Sequence, residues 1–346
     1  MVFIAVCASG ILCWLVTYGI RSLAPRLGLV DIPNERSSHH NPTARGGGAA
    51  FVISTLLVTL AAAHWANLRI LPGTSNLFCG AILIAVVSLA DDRWHLPILV
   101  RFSAHVIGAL ILISGVGWMD SVRLPWGEGI PLGGWGLPLA LLWIVGLTNA
   151  FNFMDGIDGL AAGQAAMTAV VMAWLAFLRN NDFVLWAMAV MAGSVLGFLM
   201  HNWPPARIFM GDVGSAFLGF MFAGWAIVAG GENPEPLPFF AWAVMLAPFL
   251  FDTFVTLATR IVHKKRWYEA HREHIYQRLV RNGWSHRAVT GLYLAVSAFL
   301  GLSTVMFYGY KMFAISIYVV LIISPLVLLY LVSQVVNSRH KYPRAQ

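Results

Sequence analysis

Long apolar runs alternate with short polar segments along nearly the whole chain. Eleven runs approach or exceed the ~20 residues that a helix needs to cross a bilayer. The predicted spans are residues 2–20, 47–66, 74–90, 99–116, 136–151, 160–178, 183–200, 213–230, 238–259, 288–307 and 312–333. The pattern predicts an all-α polytopic membrane protein with ten or eleven transmembrane helices in one integral membrane domain over residues 1–346.

Composition agrees with this class. Hydrophobic residues make up 59% and charged residues 11% of the chain, with a mean hydropathy of +0.73, whereas soluble domains are about a quarter charged. The three cysteines lie in apolar runs without the spacing of a disulfide or metal site. No basic segment precedes the first apolar run, so we expect a retained span and not a cleaved signal peptide.

The basic residues predict the orientation. With the N-terminus outside, the outer side holds only Arg69, Arg123, Arg179 and Lys311 of the 22 lysines and arginines. This asymmetry is the positive-inside pattern, and it predicts an N-terminus outside and a basic cytoplasmic face. Topology and anionic lipid headgroups account for the net charge of +7, so no nucleic-acid partner is expected.

The string TNAFNFMDGIDGL places Asn149, Asn152, Asp155 and Asp158 three residues apart at the inner end of an apolar run. Residues with this spacing lie near one face of a helix. Carboxylates at a membrane boundary are costly to desolvate and usually have a partner or a function. We therefore predict a site for a cation or polar ligand; the alternative is a row of polar residues that wets the interface.

Two further acidic motifs are predicted at the same membrane face. Asp91 and Asp92 directly follow an apolar run, and adjacent carboxylates repel each other unless a cation or proton intervenes. Mg²⁺ would relieve that repulsion, and pairing with Arg93 is the alternative. Asp212 lies between two glycines where a predicted span begins, so it is either a ligand or a simple helix cap.

Basic residues in the inner loops offer phosphate ligands. Residues 260–287 contain HREHIYQRL, with His271, Arg272, His274 and Arg278, and the first inner loop contributes His40 and Arg45 before three glycines. That glycine run lacks the spacing of a Walker loop. Part of the charge is explained by topology alone.

A few polar residues are assigned no chemistry. Asp252 lies within a predicted span, where we favour a structural role over catalysis. His64, His105 and Asn76 are isolated. The remaining acids and bases together indicate anionic chemistry at the inner surface, such as phosphoryl transfer, which depends on a metal, positive donors and alignment.

Five motifs in combination resemble a known family. They are VDIPNERSSHHNPTARGGG, DDRW, NAFNFMDGIDGLAAG, FMGDVGS and FDT…R, all on one predicted side of the membrane. Between about residues 31 and 281 the chain resembles the polyprenyl-phosphate N-acetylhexosamine-1-phosphate transferases, the superfamily of MraY and WecA. The version HREHIYQRL is most similar to the WbpL-like branch, which begins O-antigen synthesis.

The resemblance implies a reaction in the bacterial cytoplasmic (inner) membrane. Undecaprenyl phosphate attacks the sugar-linked phosphate of a UDP-N-acetylhexosamine, UMP leaves, and a prenyl-pyrophosphoryl sugar remains. The implied sugar is N-acetylglucosamine or a 6-deoxy relative. Mg²⁺ is required, with Mn²⁺ as the alternative. A homodimer is left open.

The resemblance also implies roles for individual residues. Metal ligands would be Asp212 and Asn152. Catalytic carboxylates would be Asp91, Asp92, Asp155 and Asp158, with Asp91 as a proposed general base. Substrate-binding residues would be Asn149, Asn152, Arg45, His40, His271, Arg272, His274 and Arg278.

Two positions depart from the family pattern. His95 replaces the last acid of the common DDxxD motif, so a role for that acid does not carry over. The HxHHR motif of WecA-like members is also altered, because Tyr276, Gln277 and Arg278 follow His274.

Three other functions remain as alternatives. A phospho-MurNAc-pentapeptide transferase would carry a triple histidine that this chain lacks. A membrane transporter would place its polar site near the bilayer midplane, whereas most acids here are predicted at one face. A catalytically dead scaffold would not need the retained acids.

Overall fold

The computed structural model describes residues 1–33, 41–117, 119–123, 129–231, 236–266 and 271–341. Within those residues the helices are α1 (Val2–Leu27), α2 (Gly48–Trp65), α3 (Thr74–Trp94), α4 (Ile98–Val116), α5 (Gly136–Phe153), α6 (Leu160–Leu178), α7 (Asp182–Asn202), α8 (Asp212–Val228), α9 (Phe239–Met245), α10 (Ala247–Val262), α11 (Ile275–Arg281), α12 (His286–Thr304) and α13 (Ile315–Lys341). Two antiparallel strand pairs join them, β1 (Val30–Asp31) with β2 (Thr43–Ala44) and β3 (Ser121–Arg123) with β4 (Gly129–Pro131).

The prediction of an all-α polytopic membrane protein is confirmed. Among the described residues, nine helices are long and apolar enough to cross a membrane, or up to ten if the bent pair α9–α10 counts as one span. The apolar helix α8, at 17 residues, is slightly shorter than these. Every predicted span coincides with a helix or with the bent pair.

The predicted span over residues 238–259 is present as two helices with a sharp bend between them. Helices α9 and α10 meet at Leu246 with a bend of 69°. Pro248 lies in the first turn of α10, and it has no amide hydrogen with which to continue the hydrogen bonds of α9. The chain therefore starts a new helix in a new direction.

The interior of the bundle is built from α6, α7 and α8, while α1 and α13 lie at its edge. The most apolar windows of α6 and α7 are each 78% buried, compared with 22% for α1 and 17% for α13. Helix α8 fills the centre with fully buried aromatic side chains, namely Phe217, Phe220, Phe222 and Trp225. This packing fixes the start of α8, where Asp212 lies.

Candidate functional site

Asp92 holds the beginning of α8 from the end of α3. Its Oδ1 accepts a hydrogen bond of 2.8 Å from the Asp212 amide, and its Oδ2 accepts one of 3.1 Å from the Val213 amide. Helix N-termini have unpaired amides and a partial positive charge, both of which a carboxylate satisfies. Asp92 therefore caps α8 from a neighbouring helix and sets the position of Asp212.

Two arginines link the three aspartates. Arg45 places Nε 2.9 Å from Asp92 Oδ1 and Nη2 2.6 Å from Asp212 Oδ1. Arg101 places Nη1 2.9 Å from Asp91 Oδ2 and 3.3 Å from Asp212 Oδ2. Each carboxylate oxygen of Asp212 thus pairs with a different guanidinium group. The predicted convergence of Asp91, Asp92, Asp212 and Arg45 is present in the structure.

The glycine run after Arg45 allows close backbone packing. Ala44 accepts a hydrogen bond of 2.8 Å from the Phe209 amide, which joins the β2 strand to the segment before α8. A Cβ on Gly48 would lie 2.3 Å from the Gly214 Cα, so α2 and α8 touch through glycines. The run is needed to bring Arg45 against Asp212.

Gly211→Ala should disrupt the same arrangement. Gly211 has φ of 74°, and an added Cβ would lie 2.4 Å from Asp92 Oδ2. We expect the free energy of unfolding to fall by about 2 kcal/mol and the turnover rate to fall roughly a hundredfold, because displaced catalytic groups lose alignment. Thermal unfolding and initial rates of the purified variant measure both effects.

Gly291→Ala is the matched control, because a Cβ there meets no atom within 4 Å. Gly291 lies inside α12, where alanine is the better helix former. A Gly211→Ala variant as active and as stable as Gly291→Ala would contradict the proposed packing of Asp92.

The predicted helical face of Asn149, Asn152, Asp155 and Asp158 is only half right. Helix α5 ends at Phe153, and residues 154–159 form a turn before α6. The two asparagines are helical and the two aspartates are not. The turn contains two glycines, and glycine disfavours continuation of a helix.

Asn152 and Asp155 lie beside the other aspartates. The Asn152 side chain contacts the Asp212 carboxylate. Burial, together with the negative charge of Asp212, raises the pKa of Asp155 well above its usual range, and Arg45 only partly opposes this shift. We call Asp91, Asp92, Asp155 and Asp212 the aspartate cluster.

Asp158 and Asn149 make contacts of their own beside the cluster. Asp158 Oδ2 accepts a hydrogen bond of 3.0 Å from the Ala206 amide and lies 3.4 Å from His286 Nδ1. Asn149 Nδ2 donates to the Val145 carbonyl at 2.7 Å and lies 3.3 Å from the ring of His105. These contacts hold the surrounding helices, and the predicted roles of both residues in catalysis or binding stay predictions.

The basic segment of residues 271–278 packs against the end of α5. The Tyr276 hydroxyl donates a hydrogen bond of 2.9 Å to the Phe153 carbonyl, and a Cβ on Gly156 would overlap that hydroxyl. His274 Nδ1 lies 3.1 Å from the carboxylate of Asp252, which is fully buried. Asp252 therefore has the structural contacts that we favoured, and the segment meets the turn that carries Asp155.

The side chains of the basic segment differ in their environment. Burial lowers the pKa of His271 to about 4, and the nearby His274 and Arg260 act in the same direction. His271 is consequently neutral at pH 7. Arg272 is close enough for its charge to act on Tyr276, and Arg278 lies on α11. His40, the remaining predicted ligand, lies outside the described residues.

Comparisons with known proteins match this architecture. Residues 75–230 match the family model described as Glycosyl transferase family 4. A probable undecaprenyl-phosphate N-acetylglucosaminyl 1-phosphate transferase of Bacillus subtilis is 33% identical over 282 residues, which cover 81% of this chain and 78% of that protein. The chain belongs to the polyprenyl-phosphate N-acetylhexosamine-1-phosphate transferase superfamily.

Two further relatives come from different parts of the superfamily. The decaprenyl-phosphate N-acetylglucosaminephosphotransferase of Mycolicibacterium smegmatis is 34% identical, with 86% of this chain and 81% of that protein covered. The phospho-N-acetylmuramoyl-pentapeptide-transferase of Heliobacterium modesticaldum is 30% identical, with coverage of 86% and 95%. This member of the superfamily is accordingly a multi-pass bacterial membrane protein.

Sequence reasoning missed Arg101 and Asp31 as site residues of this superfamily member. Arg101 lies in the first turn of α4, where a cation opposes the helix dipole and therefore needs an acidic partner. The need of Arg101 for an acidic partner could therefore have been predicted from the sequence. Asp31 lies on β1 near enough for its charge to act on Arg45, but only the pairing of β1 with β2 brings the two together.

The composition of the site suits a divalent cation. The aspartate cluster supplies four carboxyl groups as oxygen donors beside the two guanidinium groups of Arg45 and Arg101. Among the described residues no three His, Cys, Asp or Glu side chains could hold a metal ion by themselves. Mg²⁺ commonly takes one or two carboxylates and completes its shell with water and substrate phosphates, so the donor set fits that mode of binding.

Proposed function

We propose that this protein transfers an N-acetylhexosamine 1-phosphate from a UDP-sugar to undecaprenyl phosphate and releases UMP. The observation that carries the proposal is the junction of the aspartate cluster with the basic segment of residues 271–278, made through Tyr276 and Phe153 at one end of the bundle. Membership of the superfamily supports the same reaction, since two of its relatives are named for N-acetylglucosamine phosphate transfer.

In the proposed reaction an oxygen of the lipid phosphate forms a bond to the sugar-linked phosphorus, and the bond from that phosphorus to the UMP oxygen breaks. Arg45 and Arg101 would attract and neutralise the phosphate oxygens. Asp91 would orient the attacking phosphate and accept its proton. Its carboxylate is itself held by Arg101 and by a 2.6 Å hydrogen bond from the Leu96 amide.

Asp212 and Asn152 would hold Mg²⁺, with Asp155 beside them. Bound there, the metal would neutralise charge that develops on the pyrophosphate oxygens. Mn²⁺, which also takes oxygen ligands, is the alternative.

The basic segment would hold the donor nucleotide sugar. Arg272 offers a forked guanidinium for a phosphate. His271 is neutral at pH 7 because of its lowered pKa, so one ring nitrogen can donate a hydrogen bond and the other can accept one. His274 is fixed by Asp252 and would shape the site without moving.

We propose UDP-N-acetylglucosamine or a 6-deoxy UDP-N-acetylhexosamine as the donor, in the first membrane step of O-antigen or related surface polysaccharide synthesis. The pentapeptide transferase reaction is the second candidate, because a relative with that name is covered over 95% of its length. An assay that includes UDP-MurNAc-pentapeptide among the donors separates the two reactions.

The test measures UMP release by purified protein with undecaprenyl phosphate, Mg²⁺ and a panel of UDP-sugars. We expect release that requires both the lipid and one N-acetylhexosamine donor. EDTA should remove nearly all activity, and added Mg²⁺ should restore it, because the proposed reaction needs a metal ion to neutralise charge on the pyrophosphate oxygens. Formation of the lipid-linked sugar, followed by mass spectrometry, is the second readout.

Three outcomes would count against the proposal. Release that is unaffected by EDTA would exclude the metal step. No release from any donor by a folded protein would favour the transporter or scaffold function, and release from UDP-MurNAc-pentapeptide alone would favour the peptidoglycan enzyme.

A further inference from the structure

A groove between α1 and α7 opens on the lipid-facing surface of the bundle. Its volume is about 650 Å³, and its walls are almost entirely apolar. Its lining includes Gly10, Ile11, Trp14, Gly193, Leu196 and Gly197. Nothing in the proposed reaction uses this groove.

Close glycine packing creates the groove. A Cβ on Gly197 would lie 2.3 Å from the Gly10 carbonyl oxygen, and a Cβ on Gly193 would lie 2.4 Å from the Ser9 Oγ. The two backbones therefore approach closely, as at other small-residue crossings in membranes. Larger side chains on both sides of the crossing leave a depression that faces the lipid.

One face of α1 runs from apolar to aromatic to cationic side chains. Ile11, Trp14, Tyr18 and Arg21 recur every three or four residues and so share that face. The Trp14 and Tyr18 rings stack with centroids 6.3 Å apart, and Arg21 begins about 10 Å beyond Trp14 along the helix axis. A phospholipid in a bilayer has a matching order: its acyl chains lie deepest, the interfacial region follows, and the phosphate lies nearest the water.

A second arginine lies at the same end of the groove. The His201 ring lies 5.6 Å from the Trp14 ring, and Arg21 and Arg207 are both close enough for their charges to act on it. Within the described part of the chain, neither arginine side chain makes an ion pair or hydrogen bond. Arg45 and Arg101, in contrast, form ion pairs with the aspartate cluster.

We propose that the groove binds an anionic phospholipid of the bilayer, with an acyl chain between α1 and α7 and its phosphate between Arg21 and Arg207. The apolar walls match the acyl chain, and the two arginines, which have no ion-pair partner among the described residues, match the headgroup. The reaction site and the groove have different arginines. The charges of Arg45 and Arg101 act on Asp212, whereas those of Arg21 and Arg207 act on His201. The occupant of the groove is therefore a bilayer lipid and not the prenyl phosphate substrate.

The experiment uses phosphatidylglycerol with a photoreactive diazirine at the end of one acyl chain. The probe is added to the purified full chain in micelles of neutral detergent, irradiated, and mapped by peptide mass spectrometry. We expect labelled peptides from α1 and α7 around Gly10 and Gly197. Unlabelled phosphatidylglycerol should compete, and phosphatidylcholine should compete at least about tenfold less well, since each basic residue favours an anionic lipid.

Two variants test the two halves of the site. Arg21→Gln combined with Arg207→Gln should weaken phosphatidylglycerol competition at least about tenfold. Arg69→Gln is the control and should leave the competition unchanged, because Arg69 is an exposed residue beyond the C-terminal end of α2. Leu196→Trp should fill the groove and remove the labelling while both arginines remain. Leu196 is 44% exposed, so this change should leave the bundle folded, which thermal unfolding checks.

Four results would overturn the proposal. Labelling confined to other helices would remove the groove as the site. Equal competition by phosphatidylcholine, or no effect of the double arginine variant, would remove the anionic headgroup. Complete displacement of the probe by stoichiometric undecaprenyl phosphate would assign the groove to the prenyl substrate.

Discussion

Asp212→Asn should lower the rate of UMP release by roughly a thousandfold while leaving the protein folded. The Asp212 carboxylate contacts Arg45, Arg101 and Asn152, so its charge holds these three side chains in position. Asparagine keeps the size of the side chain but removes the charge that a metal and two guanidinium groups need. The backbone amide of residue 212, which Asp92 holds, is unchanged, so the cap on α8 should survive.

Asp120→Asn is the matched control for this measurement. Asp120 is an exposed aspartate in the loop before β3, away from the cluster by sequence and by fold, and its variant should release UMP at the wild-type rate. Thermal unfolding of both variants separates loss of chemistry from loss of structure. An Asp212→Asn variant that keeps most of the wild-type rate would remove Asp212 from the mechanism.

Convergence of the acids was predictable because they lie at helix ends. Asp91 and Asp92 end α3, Asn152 lies in the last turn of α5, and Asp212 begins α8. Helices of alternating direction that cross one membrane return these ends to one side, so the chain order alone predicts a shared face. Their contacts also depend on two arginines, of which only Arg45 was included among the predicted ligands.

Other features depend on tertiary contacts that spacing does not contain. The three-residue repeat from Asn149 to Asp158 continues past the end of the helix, because glycine and the hydrogen bond of Tyr276 to Phe153 favour a turn there. The role of Asp92 as a remote cap of α8 requires the packing of α3 on α8. A single sequence contains the residues of such a pair but not their distance.

Asp252→Asn should strongly destabilise the protein. The Asp252 carboxylate is fully buried. It accepts hydrogen bonds from the Ile275 amide at 2.8 Å, the Tyr276 amide at 3.2 Å and the Tyr293 hydroxyl at 2.5 Å. We expect the free energy of unfolding to fall by about 3 kcal/mol, because the amide group of asparagine would face donors and leave buried groups unpaired.

The loss should also reach the site, because the same carboxylate fixes the start of α11 and His274. We expect a raised KM for the nucleotide sugar together with a lower midpoint of thermal unfolding. Tyr293→Phe removes a single donor and should cost only about 1 kcal/mol, which makes it the graded control. Equal thermal midpoints for Asp252→Asn and Tyr293→Phe would mean that Asp252 does not organise α11, and the coupling between the buried carboxylate and the basic segment would have to be abandoned.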